Sequence, residues 1–269
     1  MRKLRVCLYF IAVVYSVIPA PASSQIGRIA NGAPKYVFFF LADGAGMTHL
    51  EIARQYRQYI HNEGMVIVDK IIKEGTIGVI TTHPANSLST DSAAAATAMA
   101  SGCKARIGAL GVCADGTPAV SAMEIARQRG MKLGLATNSQ IYDASPAAFV
   151  CHVPNRKDYS AILRRYQEMA PDVLLGGGMD QFLAKGQPGS QRGDDSDPVA
   201  EFTKLGYQTV NTLTQLQRAS SNKVLGLFGL SEMSFEIDRD KQTEPSVYDL
   251  TQAAIRLLQG PRGFFAFIE

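Results

Sequence analysis

Residues 36–42 read YVFFFLA, an unbroken and strongly aromatic apolar run. Seven residues are too few for a buried helix, so the run predicts a central strand covered on both faces. It stops at Asp43-Gly44-Ala45-Gly46, and the amphipathic LEIARQYRQYI follows, with Thr48 and Glu51 spaced as a capping box. The same alternation continues to the end of the chain. Strands are predicted over 77–82, 132–136, 172–175, 224–228 and 264–268. Between them lie an alanine-rich helix over 93–100 closed by Gly102, and helices over 121–129, 159–169 and 247–259, with one started by Pro146 in its first turn. Residues 185–198 are rich in Gly, Ser, Asp and Pro and read as an exposed loop. Regular alternation forces strands to run parallel, because each helix returns the chain to the starting edge of the sheet. The expected fold is α/β: three layers, with a mainly parallel, doubly wound sheet and helices on both faces.

Composition supports this, since 46% hydrophobic against 19% charged residues is enough apolar material for a core. The formal charge of +3 owes three positive charges to Arg2, Lys3 and Arg5. Those residues precede the apolar run 6–18 and the small residues Ala20-Pro21-Ala22, the pattern of a cleaved signal peptide over 1–22. An exported protein, periplasmic or extracellular and with no permanent membrane span, is therefore expected. Without the three leader charges, 24 basic residues face 24 acidic ones, which excludes the basic footprint of nucleic-acid-specific binding. Cys7 leaves with the leader. Of the rest, Cys103 and Cys113 flank a short Gly-containing loop and are expected to pair, while Cys151 sits in an apolar segment as a buried thiol. His49, His61, His83 and His152 include no closely spaced pair that would build a zinc site on its own.

Four places could carry chemistry. Asp43 follows a strand at the carboxyl edge, where open α/β sheets bind ligands, although an Asp-Gly there can equally satisfy loop amides. Ser92 opens the alanine-rich helix, where free N–H groups favour a phosphate; Asp91 or Ser92 could also be a plain N-cap. Asp143 and Ser145 offer hard oxygen donors suited to magnesium, and Arg156 offers a planar fork for phosphate oxygens. In isolation an N-cap and a surface arginine explain them as well. Glu269, at the end of a strand, repeats the placement of Asp43 or is an ordinary last residue.

Together these segments resemble the alkaline phosphatase family. The string STDSAAAATAMASGCKARIGALGV at 89–112 is similar to the family's nucleophile segment. FFFLADGAGM (38–47), DASPAAFVCHVPNRKDYS (143–160), VLLGGGMDQF (173–182), LGLFGLSEMSFEIDRD (225–240) and GFFAFIE (263–269) follow in the family's order. The resemblance covers residues 35–269, as the N-terminal part of a single alkaline-phosphatase-like domain with its C-terminal part missing. It implies that Ser92 is the nucleophile of a phosphoserine intermediate and also a zinc ligand. Asp43 would be shared between a zinc and one magnesium, Ser145 and Glu269 would complete the magnesium ligands, and Arg156 would clamp phosphate. Asp143 would stand behind the metal and tune its preference.

It implies two zinc ions as well, most of whose ligands belong to family segments beyond the position matching Glu269. The expectation is an exported, metal-dependent phosphomonoesterase acting on phosphate monoesters, homodimeric when complete, whose 269 residues alone are inactive. The alternative is a non-catalytic phosphate- or metal-binding remnant of that fold. A phosphodiesterase or sulfatase is disfavoured by the Asp-Ser-Ala setting of Ser92 and by Arg156.

Overall fold

One parallel sheet carries the fold. Its strands are β1 (Tyr36–Phe40), β2 (Lys132–Gln140), β3 (Val173–Gly177), β4 (Gln208–Val210), β5 (Val224–Leu227) and β6 (Phe264–Ile268), hydrogen-bonded in the order β1-β6-β2-β3-β5-β4. The computed structural model describes residues 34–269, so the predicted leader lies outside the described residues. All five pairings are parallel, and the register sets Phe39 beside Phe267 and Phe267 beside Leu135.

Among the described residues eight α-helices connect these strands: α1 (Met47–His61), α2 (Ser92–Ser101), α3 (Ala122–Gln128), α4 (Ala144–Ala147), α5 (Tyr159–Met169), α6 (Pro198–Lys204), α7 (Leu213–Arg218) and α8 (Val247–Leu257). Alternation along each strand divides the apolar residues between two layers. On one face Leu133, Leu135, Leu174, Phe265 and Phe267 pack with Ala96, Met123, Ala147, Ile162 and Tyr166 from α2 to α5. On the other, Val173, Leu175, Phe264, Ala266 and Ile268 pack with Leu216 of α7 and Leu250, Ala254 and Leu257 of α8. Every residue of β6 is buried, and each large side chain so covered contributes roughly 1.5–3 kcal/mol.

The structure corrects three expectations. Among the described residues β1 is the edge strand of the sheet rather than a central one covered on both faces. Val37 and Phe39 pack inward, while Tyr36, Phe38 and Phe40 are exposed on the opposite face, since α8 covers the sheet further along. Residues 77–82 form no strand; Ile77 and Val79 are 73% and 98% exposed, and the segment has no ladder partner to satisfy its backbone. The capping box expected from Thr48 and Glu51 does not form at the start of α1. Its N-cap is Gly46, whose N–H donates to His49 Nδ1 at 3.1 Å, while Glu51 accepts from Arg54 and Gln55.

β3 runs two residues past its predicted end because its glycines can lie against backbone. A Cβ on Gly177 would stand 2.1 Å from the Ser231 carbonyl oxygen. The loop predicted over 185–198 is mostly exposed, but Pro198 is buried as the first residue of α6, and the Arg192 side chain, 3% exposed, is pinned by Asp194, Ser196 and the Gln181 carbonyl. Cys103 and Cys113 form a disulfide, and Cys151 is a buried free thiol.

Candidate active site

The carboxyl ends of three neighbouring strands, β1, β6 and β2, converge with the N-terminus of α2. Asp43 follows β1, Glu269 follows β6, and the turn after β2 delivers Asp143 and Ser145. This is the crevice in which open parallel sheets bind ligands. A cleft of about 470 Å³ opens there, lined by Asp43, Gly44, Gly46, Thr82, Thr90, Asp91 and Ser92 among others.

Asp91 is the N-cap of α2. Its Oδ1 accepts the Ala94 N–H at 3.0 Å, which leaves Ser92 as the first helical residue with its hydroxyl uncommitted to capping. The Ser92 hydroxyl instead donates to Asp43 Oδ2 at 2.7 Å. Ser145, buried at the start of α4, presents its hydroxyl to the same Oδ2 at 3.3 Å and to Glu269. Thr137 in β2, which the sequence reading overlooks, donates to Glu269 Oε2 at 2.8 Å. Three of the expected residues thus meet at one carboxylate oxygen, and Glu269 joins them through Ser145.

Arg156 belongs to a second arm of the site. Its guanidinium donates to Asp143 Oδ1 at 2.8 Å and to Asp91 Oδ2 at 3.4 Å. Partial burial works against its charge, but the two carboxylates outweigh that and hold it above its ordinary range. Asp91 therefore has a second role besides capping, with one oxygen on the helix and the other on the arginine. Arg156 is no free surface residue.

The donors favour a hard cation at the first arm. Among the described residues, neither Asp43 nor Glu269 forms an ion pair with a basic side chain. Burial, with Asp43 and Asp143 nearby, pushes Glu269 up to about 7 against the opposing hydrogen bonds from Thr137 and Ser145. Two carboxylates and a hydroxyl, all oxygen, crowded together without a counter-charge, suit magnesium. Zinc is different. Asp43 and Ser92 would offer at most two of the three or four ligands a zinc takes, and among the described residues no group of three or more His, Cys, Asp or Glu is placed to hold a metal ion.

Fold and site together define a parallel α/β protein with a serine, an arginine and oxygen ligands at one sheet edge. The alkaline phosphatase family model matches residues 34–269, and the chain belongs to that family. It is 35% identical to alkaline phosphatase 4 of Bacillus subtilis over 87% of this chain and 50% of that protein. The alkaline phosphatase of Thermus thermophilus superposes with a TM-score of 0.81 at 29% identity, over 93% of this chain and 53% of that one. A variant alkaline phosphatase from the bacterium TAB5, solved with magnesium bound, gives a TM-score of 0.69 at 26% identity, over 87% and 63% of the two chains. The chain spans about half the length of the curated relatives it matches.

Proposed function

We propose that this chain supplies the nucleophile half of an exported, metal-dependent phosphomonoesterase. The observation that carries the reading is the contact of Ser92 Oγ with Asp43 Oδ2 at 2.7 Å, at the start of a helix and one residue from the Asp91 that holds Arg156. In the full-length protein Ser92 Oγ attacks the phosphorus of a phosphate monoester in line with the leaving alcohol. The new bond joins Oγ to phosphorus, the ester P–O bond breaks, the serine carries the phosphoryl group, and the proton given up by the serine hydroxyl balances the one gained by the departing alcohol oxygen. Asp43 Oδ2 accepts the Ser92 hydroxyl hydrogen bond and so orients the oxygen before attack.

Arg156, kept in place by Asp91 and Asp143, meets two phosphoryl oxygens with its planar fork, where charge develops during transfer. The backbone N–H groups at the start of α2 face the same charge. Asp43, Ser145 and Glu269 would hold magnesium, with Thr137 orienting Glu269 and Asp143 standing behind. A bound magnesium would supply positive charge to the carboxylate cluster and to the transferring group. Two zinc ions would draw most of their ligands from residues outside this chain, and the described residues carry no step through them. Export rests on Arg2, Lys3 and Arg5, the apolar run 6–18 and Ala20-Pro21-Ala22. Mass spectrometry of the secreted protein should find a mature N-terminus near Ser23; an intact Met1 contradicts export.

The test is steady-state turnover of p-nitrophenyl phosphate by full-length protein and its Ser92→Ala variant. Loss of several orders of magnitude in kcat is expected, because the covalent route disappears. A variant within tenfold of the parent would place the nucleophile elsewhere.

A further inference from the structure

Arg156 is held through its main chain as well as its side chain, and the main-chain hold comes from a loop closed by a disulfide. Cys103 and Cys113, with Cα atoms 5.7 Å apart, close the loop immediately after α2. At its centre Gly108 accepts the Arg156 N–H at 2.7 Å and donates its own N–H to Asp91 Oδ2 at 3.1 Å. Two residues on, Leu110 exchanges both backbone hydrogen bonds with Val153, at 2.9 and 2.8 Å. The Gly111 carbonyl then lies 2.8 Å from His152 Nδ1, and its N–H donates to the buried Thr97 hydroxyl at 2.9 Å. A Cβ on Gly111 would stand 2.0 Å from the Cys151 carbonyl oxygen, so backbone lies directly on backbone.

We propose that this disulfide-closed loop is a positioning element for Arg156, with Gly108 as the contact that fixes both the arginine backbone and its Asp91 partner. The inference rests on the phosphate-clamp role proposed for Arg156. A guanidinium fork matches two phosphate oxygens only when its Cα is in place, and a shift of about 1 Å can cost on the order of a hundredfold. Gly108 and Gly111 occupy φ of +81° and +59°, and glycines are the residues whose backbone wanders most when a restraint is removed. The ten-residue separation of Cys103 and Cys113 limits that wandering. Opening the loop should therefore weaken the clamp and leave Ser92 and α2 in place.

The experiment compares full-length parent with Cys103→Ser/Cys113→Ser, each also carrying Arg156→Ala. It reads competitive inhibition by inorganic phosphate, KM and kcat, and hydrogen exchange at the Arg156 and Val153 amides. The double cysteine variant should weaken phosphate inhibition and raise KM by about tenfold. Its kcat should change less, exchange at the two amides should quicken, and no further loss should appear in the Arg156→Ala background. A loss that simply adds to that of Arg156→Ala, or unchanged exchange and inhibition, overturns the positioning role. Unchanged inhibition in Arg156→Ala alone overturns the clamp itself, which separates the two failures. Should the cysteine variant not fold, Gly108→Ala provides the second route: its Cβ meets no atom within 4 Å, yet the positive φ forces the backbone to shift. It should give the same split between KM and kcat, and parent-like constants would contradict the proposal.

Discussion

Ser92 and Asp43 lie 49 residues apart in the chain, and their side-chain oxygens stand 2.7 Å apart in the fold. The contact exists because β1 ends at the same sheet edge where α2 begins. It unites a hydroxyl at a helix N-terminus with a carboxylate that Ser145 also touches. An N-cap role for Ser92 is thereby excluded, since Asp91 performs it.

Replacing Arg156 by Ala should lower kcat/KM of the full-length protein for a phosphate monoester by about 10- to 150-fold. One charge-assisted bidentate contact contributes roughly 1.5–3 kcal/mol. The loss should be smaller than that of Ser92→Ala. An effect below twofold would mean that the fork faces no phosphoryl group.

Magnesium should stabilise the protein through the cluster of Asp43, Ser145 and Glu269. At a hundred times its Kd, a ligand of the native state contributes about 2.7 kcal/mol, or roughly 5–10 °C in Tm for a domain of this size. Ser145→Ala should remove most of that gain while keeping the fold, because its volume change is small. Thermal scans with and without magnesium decide this; an equal gain in the variant would place the ion elsewhere.

Arg192 gives a prediction about pH. Asp194 accepts from its Nε and one terminal nitrogen at 2.8 and 2.7 Å, and these bonds hold the carboxyl well below its ordinary range. A carboxyl depressed on folding adds stability above its unfolded value near 3.9, and loses it as pH falls through the folded value. Because Asp194 is 44% exposed, solvent screening reduces the contribution to about 1 kcal/mol. Asp194→Asn should therefore be less stable at pH 7 in urea titrations, with the gap closing below about pH 4. A gap that widens on acidification would contradict the assignment.

Much of this was legible in the residues. The FFAFI strand shows as an unbroken apolar run and the helix 159–169 carries its period openly, and Asp43 and Glu269 follow strands whose ends face the crevice. What escapes the sequence is short or relational. The β4 strand has three residues and α7 six, too few for a period to form. Thr137 looks like any β-branched strand residue, and only the neighbouring strand reveals the Glu269 carboxylate across from it. The edge position of β1 is equally hidden, because an apolar run does not say how many of its faces find cover.

Residues 23–269 alone, supplied with zinc and magnesium, should hydrolyse no chromogenic phosphate ester at a measurable rate. Among the described residues a zinc would have at most Asp43 and Ser92 to bind, too few ligands to activate the Ser92 hydroxyl, which stays a weak nucleophile. Robust zinc-dependent turnover by this fragment would reveal a ligand set that the site geometry lacks.

The most direct measurement is an acid quench of full-length protein during turnover of a phosphate monoester, followed by peptide mapping of the trapped phosphate. Phosphoserine at Ser92, abolished in Ser92→Ala, is the expected result. Phosphate on another residue, or an unchanged phosphoenzyme level in Ser92→Ala, would contradict the account.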